Sequence, residues 1–222
     1  METLRVLKVS VVLNRPKRER KMKTKILEIA IEQFSRFGVR TVTMEDIARL
    51  AGISKKTIYQ EFKDKKDLVK ETFACVLDED RARMRYMIEH EDGVIEHLVK
   101  ASKMLRERLA NMNPMVILEI QRHFPEAWVQ FEVFKEEFVM NDLINVLEKG
   151  KALGYFRPEI DSAILARLRV NQISTSFDPS NFDLKGYDLL ALQLEMMDHF
   201  LYGIFTEKGR LAYQQQKATQ EI

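Results

Sequence analysis

Residues 54 to 60 read Ser54-Lys55-Lys56-Thr57-Ile58-Tyr59-Gln60. Lysines, hydroxyls and a phenol gathered at the start of a helix are what contacts to phosphate oxygens and base edges require. To act together, Lys55, Lys56, Thr57, Tyr59 and Gln60 must share the outer face of one short helix. Ser54 is suited to cap that helix, and Ile58 and Phe62, at i and i+4, point to a core. Eleven residues before Ser54, Thr43 can cap another helix, with Asp46 three residues on, where a capping-box acid belongs. Between the caps lie about two turns, Met44 to Leu50, and then Ala51-Gly52-Ile53. Ile47, Ala48 and Ala51 recur at helical spacing and face inward, and Gly52 takes positive φ without steric cost. This layout predicts a helix-turn-helix whose second helix is presented to the DNA major groove. An ordinary helical hairpin with a solvated basic face has the same local pattern, so the flanks must decide between the two.

Upstream, Met22 to Phe37 reads as a helix with Leu27, Ala30, Phe34 and Phe37 on one stripe, ended by Gly38. Downstream, Lys63-Asp64-Lys65-Lys66-Asp67-Leu68 is a capped start to a longer helix. With Phe37-Gly38, Thr43, Asp46-Ile47-Ala48, Ala51-Gly52, Ser54, Tyr59, Phe62, Asp64-Lys65 and Leu68 in order, the sequence resembles the tetracycline-repressor (TetR) family of bacterial transcription regulators. The resemblance covers roughly residues 22–70. It implies an all-α protein of about nine helices: three DNA-binding helices over residues 22–67, a helical effector-binding and dimerisation domain over 68–222, and a basic tail over 1–21. It also implies a cytoplasmic regulator, more often a repressor than an activator. The DNA-contacting set is then Thr43, Ser54, Lys55, Lys56, Thr57, Tyr59, Gln60 and Lys65. Glu61 departs from the family, which often has Tyr or His there. An acid would repel phosphates, so Glu61 is assigned no DNA contact.

Charge agrees with this division. The whole chain holds 36 basic and 34 acidic residues, but residues 1–70 hold 18 against 9 and the remainder 18 against 25. The amino-terminal part is therefore net +9 and the rest net −7, the asymmetry of a nucleic-acid face confined to one part. Residues 4–13, Leu-Arg-Val-Leu-Lys-Val-Ser-Val-Val-Leu, are too short and too charged to span a membrane, and no small-residue cleavage site follows them. Met22 is the expected natural start. If the residues before it belong to the protein, their basic run can reach a minor groove.

Beyond residue 68 the periodicity stays helical, with no two-residue alternation. Helices are expected over Leu68–Ile88, from Asp92 to about Asn111, over Met115–Phe124, from Pro125 to about Leu153, from an Asp161 cap to about Thr175, and from about Tyr187 to Phe205. Breaks are expected at Asn113-Pro114, at Gly154 to Pro158 and at Asp178 to Asn181, and the tail from Gln214 is expected to fray.

No catalytic signature stands in this part. The chain has one cysteine, Cys75, so a disulfide framework or zinc finger is excluded. It has no Gly-Lys-Ser/Thr phosphate loop, GxSxG elbow or GxGxxG. Glu119 and His123 are one helical turn apart, which reads as a solvent-facing pair before a metal site. No cofactor or metal is expected. Methionines and aromatics concentrate here, either as plain core or as an adaptable ligand surface. In the resembling family an inducer pocket lies between helices four and eight. Carried over by position, its lining would be Met84, Met87, Met104, Phe124, Trp128 and Phe131, with His123 or Tyr155 as polar anchor and an apolar or amphipathic small molecule as effector.

The resemblance also implies a homodimer on a palindromic double-stranded operator, since one helix-turn-helix covers a single half-site. The expected interface is Leu165, Leu168, Leu189, Leu192, Met196 and Phe200. Two other readings remain at this point: a DNA-binding protein of the same fold whose effector is another protein, and an enzyme built on a helical bundle. An exposed apolar patch would mark the first of these and a cluster of perturbed titratable groups the second.

Overall fold

The computed structural model describes residues 17–90, 93–110, 112–113, 115–178, 180–182 and 188–220. Residues 1–16 of the expected basic tail lie outside them, as do Asp92, Asn111, Pro114, Pro179 and Tyr187 at expected helix ends and loops. The described residues form helices: α1 (Lys17–Phe37), α2 (Met44–Ala51), α3 (Lys55–Glu61), α4 (Lys65–His90), α5 (Val94–Leu109), α6 (Met115–His123), α7 (Pro125–Phe134), α8 (Met140–Ala152), α9 (Ser162–Thr175), α10 (Leu189–Ile204) and α11 (Glu207–Gln220). A π-helical turn, Lys135–Val139, joins α7 to α8. The helix expected from Pro125 to about Leu153 is thus one rod with a widened turn inside it, and the described residues form about ten rods, close to the nine expected, the addition being α11. A single antiparallel bridge, Phe156 to Phe205, is the one β contact among the described residues.

The chain divides into two compact units. The first ends at Ala82, inside α4, and takes in Met115–Phe131. The expected boundary stood at Asp67. The difference arises because α6 and the start of α7 are tied to the amino-terminal helices, through Glu119 to Arg40 and Lys70 to Glu126.

In the first unit Ile26, Leu27, Ala30 and Phe34 of α1, Ile47 and Ala48 of α2, Ile58 of α3, and Phe62, Leu68 and Val69 make a buried apolar core. Phe37, expected on the same stripe, is instead exposed, with the Arg36 guanidinium 5.3 Å from its ring centroid. The chain turns at Gly38, at φ 85°, and Val39 fills the core position in its place. The helix begins before Met22 because Lys17 to Lys21 are mostly strong helix formers.

The second unit packs α5, α8, α9, α10 and α11 around Leu98, Leu147, Phe156, Ala166, Leu201, Phe205 and Tyr213. A Cβ on Gly150 would stand 2.1 Å from the Phe156 ring, so only glycine lets that ring close over α8. The tail expected to fray from Gln214 is helical to Gln220. It is held because Tyr213 is buried against the Phe205 ring, 5.3 Å between centroids. A helix burying so narrow a stripe reads as polar in sequence.

Candidate nucleic-acid interface

Local chemistry sets the two short helices. The Thr43 hydroxyl accepts the backbone N–H of Asp46 at 3.1 Å, and the Asp46 carboxylate accepts the N–H of Thr43 at 3.1 Å. The Thr43 side chain also donates to that carboxylate at 2.6 Å. These bonds hold the Asp46 carboxyl below its usual pKa, the Thr43 hydroxyl first among the causes. Gly52 closes α2 in the left-handed region at φ 68°, and Ile53 donates back to the Ala48 carbonyl at 3.0 Å. This is a glycine C-cap. Ser54 then accepts the N–H of Thr57 at 3.1 Å and starts α3.

With Ile58 fully buried, the opposite face of α3 is turned outward. Lys55, Lys56, Tyr59 and Gln60 are exposed and Thr57 is half-buried. Ser54 and Thr43 are exposed too, but their hydroxyls are engaged in the caps. Lys55 forms an ion pair with Glu45 of α2, which raises the lysine's pKa. Arg49 of α2 pairs with Asp46 at 2.8 Å. Lys56 is thus an exposed cation beside a face of neutral donors and acceptors.

Lys65 is placed differently from the other expected contacts. It is half-buried, and its ammonium donates to the Arg40 carbonyl at 3.0 Å. Burial pushes its pKa down, while Glu119 pulls it back up. The Arg40 N–H is taken by Glu119 at 3.0 Å. One peptide unit in the turn before α2 is therefore gripped from α4 and from α6. Lys25 of α1 adds a bond to the Ala51 carbonyl at 2.7 Å. Sequence reasoning missed these clamps because each joins residues at least 25 positions apart. Glu119, expected as half of a solvent-facing pair with His123, accepts from the Arg40 N–H, and no group of three or more metal-binding side chains occurs among the described residues.

The residues expected to line an effector pocket fall in both units, and each set is described by itself. In the first, Trp128 lies 5.1 Å from Phe131, Phe131 lies 6.2 Å from Phe73, and Phe124 is buried. In the second, Met87 is buried and Met84 and Met104 are half-buried. Of the two expected polar anchors, His123 is exposed on α6, and Tyr155 lies under the Lys208 ammonium at 4.7 Å. The second unit has a cavity of about 220 Å³ lined by Ile88, Gly93, Val94, His97, Asp142 and neighbouring α8 residues, none of them in the expected lining. His97 and Asp142, both buried, meet there at 3.1 Å. Of the expected interface residues, Leu189 and Phe200 are only 4% and 7% exposed in the single chain, so they belong to its own core. Leu165, Leu192 and Met196 are half-buried and Leu168 is exposed.

A capped, glycine-turned helix pair with a donor-rich outer face defines a helix-turn-helix DNA-binding protein. Residues 26–72 match the family described as bacterial regulatory proteins, tetR family. The chain is 28% identical over 145 residues to the HTH-type transcriptional repressor KstR2 of Mycobacterium tuberculosis H37Rv, covering 64% of this chain and 72% of that protein. Its fold is similar to that of a TetR-family regulator from Agrobacterium tumefaciens, with a TM-score of 0.68 at 17% identity over 84% of this chain and 99% of that one. It is also similar to FadR of Bacillus subtilis solved with stearoyl-CoA, with a TM-score of 0.59 at 22% identity over 82% and 98%. Residues 26–72 are thus similar to the DNA-binding domain of the TetR family, and the whole chain shares the fold of regulators that carry it. The matched domain and these relatives make it a DNA-binding regulator. Among the described residues no helix is long and apolar enough to cross a membrane.

Proposed function

We propose that the protein is a repressor that binds a palindromic operator as a homodimer and leaves it when a small apolar or amphipathic effector binds. The observation that carries the DNA half of this reading is the outward face of α3, where Lys55, Lys56, Tyr59 and Gln60 stand exposed over a buried Ile58. Thr43 and Ser54 cap the two helices, Thr57 is half-buried on α3, and Lys65 holds the Arg40 carbonyl in the turn before α2. Two such faces must lie about 34–36 Å apart, or a multiple of that, to enter successive major grooves.

Support for the dimer comes from Ile164 and Leu168, four residues apart on α9, which are 66% and 47% exposed. The half-buried Leu192 and Met196 form a similar pair on α10. Support for an apolar effector comes from the Phe73, Phe131 and Trp128 rings gathered in the first unit. An amphipathic ligand also agrees with the stearoyl-CoA bound to the FadR structure. Release is a population shift: the effector favours a conformer in which the two α3 helices no longer match the groove spacing. It does so only by its differential affinity for the two states.

Selection from a pool of random-sequence duplexes at fixed salt tests this reading. Enrichment of a palindrome bound by two chains, with loss of binding on adding an amphipathic ligand, is the expected result. No enrichment, or a site bound by one chain, overturns it.

A further inference from the structure

Arg169 lies on α9 with 5% of its surface exposed. Its Nη1 meets no hydrogen-bond partner. No ion pair reaches the guanidinium among the described residues, and burial alone acts on it, lowering its pKa to about 10. It is therefore still a cation at neutral pH. Arginine is almost never buried unless paired, because a desolvated charge needs a compensating one. Both neighbouring cations are paired, the exposed Arg167 and the buried Lys135. Arg167, two residues away, is held by both oxygens of Glu136, Nη2 to Oε2 at 2.8 Å. Lys135, equally buried, meets Glu132 at 2.9 Å and donates to the Ser174 hydroxyl at 2.9 Å.

Two more unsatisfied atoms accompany Arg169. The Gln172 Oε1, one turn along α9, has no partner, and neither has the Gln193 Oε1 on α10. Gln193 is fully buried and donates its amide to the Ile173 carbonyl of α9 at 3.3 Å, which places it in the seam between the two helices. The α9 register puts Arg169, Gln172, Ile173 and Ser176 on one face, the face that Gln193 meets.

We propose that Arg169 receives an anionic group, a carboxylate or a phosphate, carried by the effector into the α9–α10 seam. A guanidinium binds either group through two parallel N–H donors. The amide oxygens of Gln172 and Gln193 accept from hydroxyl or N–H groups beside the anion. A carboxylate on the surface of another protein does not reach a group 5% exposed within one chain, whereas a small ligand enters the seam. This inference rests on the proposed ligand response and narrows it from amphipathic to anionic.

The test uses the full chain with three probes of one chain length, decanoate, decyl phosphate and decanol, followed by calorimetric titration and thermal denaturation. At least one anionic probe should bind about ten-fold or more tighter than decanol, and the stronger of the two tells carboxylate from phosphate. Arg169→Met should remove that preference, and it should leave the ligand-free Tm unchanged or higher, because it deletes an uncompensated charge at similar volume. Arg169→Lys keeps the charge but loses the fork, and should retain a weaker preference; it serves if Arg169→Met does not fold. Equal binding of all three probes, no binding by any, or an anion preference that survives Arg169→Met overturns the assignment. Operator release by decanol without anion preference would sink Arg169 alone. Anion preference without operator release would sink the release reading alone.

Discussion

The carboxylate of Glu119 on α6 accepts the backbone N–H of Arg40 at 3.0 Å, in the turn that leads into α2. The same residue lies against Gly38, where a Cβ would stand 3.2 Å from it. Lys65 holds the carbonyl of Arg40 from the other side. The start of the helix-turn-helix is thus set by partners on α4 and α6 as well as by its own caps. Glu119→Ala should cost about 1–2 kcal/mol of stability, the range for a hydrogen bond to a charged group that is partly exposed. It should also weaken binding to every duplex alike, since it loosens the turn rather than a base contact. Glu119→Gln keeps an acceptor and should lose less on both counts. Denaturation together with anisotropy on selected and random duplexes checks this, and a loss confined to the selected operator would contradict it.

Lys55 is tied to Glu45 in the free protein. A lysine that reads a base must leave that partner. Glu45→Gln should therefore tighten operator binding several-fold, by removing both the competing acceptor and a negative charge near the phosphates. Lys55→Ala should weaken binding to the selected operator about five-fold or more, and weaken random duplex less. Equal losses on the two duplexes would make Lys55 a phosphate contact. A salt slope lowered by about one unit would then accompany it.

Burial pushes the Cys75 thiol up to about 11 from a model-compound value of 9.0. The folded state thus disfavours the thiolate. The stability this group contributes is in place below pH 9.0 and is lost as pH rises through about 11, because the unfolded chain releases the proton first. Denaturant titrations should show the wild type losing stability across that window faster than Cys75→Ala. At neutral pH a thiol reagent should modify Cys75 at the rate of unfolding, which argues against a redox-sensing role. Rapid modification of the native protein would reverse that view.

Exposed and buried apolar residues of α9 and α10 should respond differently to substitution. Ile164→Glu and Leu168→Glu place charge on the outer face of α9. They should convert a dimer to a monomer in sedimentation analysis while leaving the fold intact. Phe200→Ala and Leu189→Ala remove core side chains and should cost about 2–5 kcal/mol in any oligomeric state. A Leu168→Glu protein that sediments like the wild type would place the interface elsewhere.

The parts of this molecule that could be read without coordinates are those whose partners lie within a few residues. The Thr43 and Asp46 box, the Ser54 and Asp161 caps and the positive φ of Gly52 each depend on bonds spanning three or four positions. The burial of Ile47, Ile58 and Phe62 follows from helical spacing. Together these settle the all-helical class and the outward face of α3. What the sequence left open depends on contacts between distant segments. Phe37 sits at the right spacing yet is exposed, because the chain turns at Gly38 before the stripe is complete. Tyr213 makes a helix of a polar tail by finding Phe205. Leu189 and Phe200, apolar at interface-like positions, close on their own core. Glu119, 79 residues from Arg40, and Arg169, stranded among matched cations, carry no local signature. Their environments exist only once the helices have packed, since burial and charge pairing belong to the assembled fold and not to any one segment.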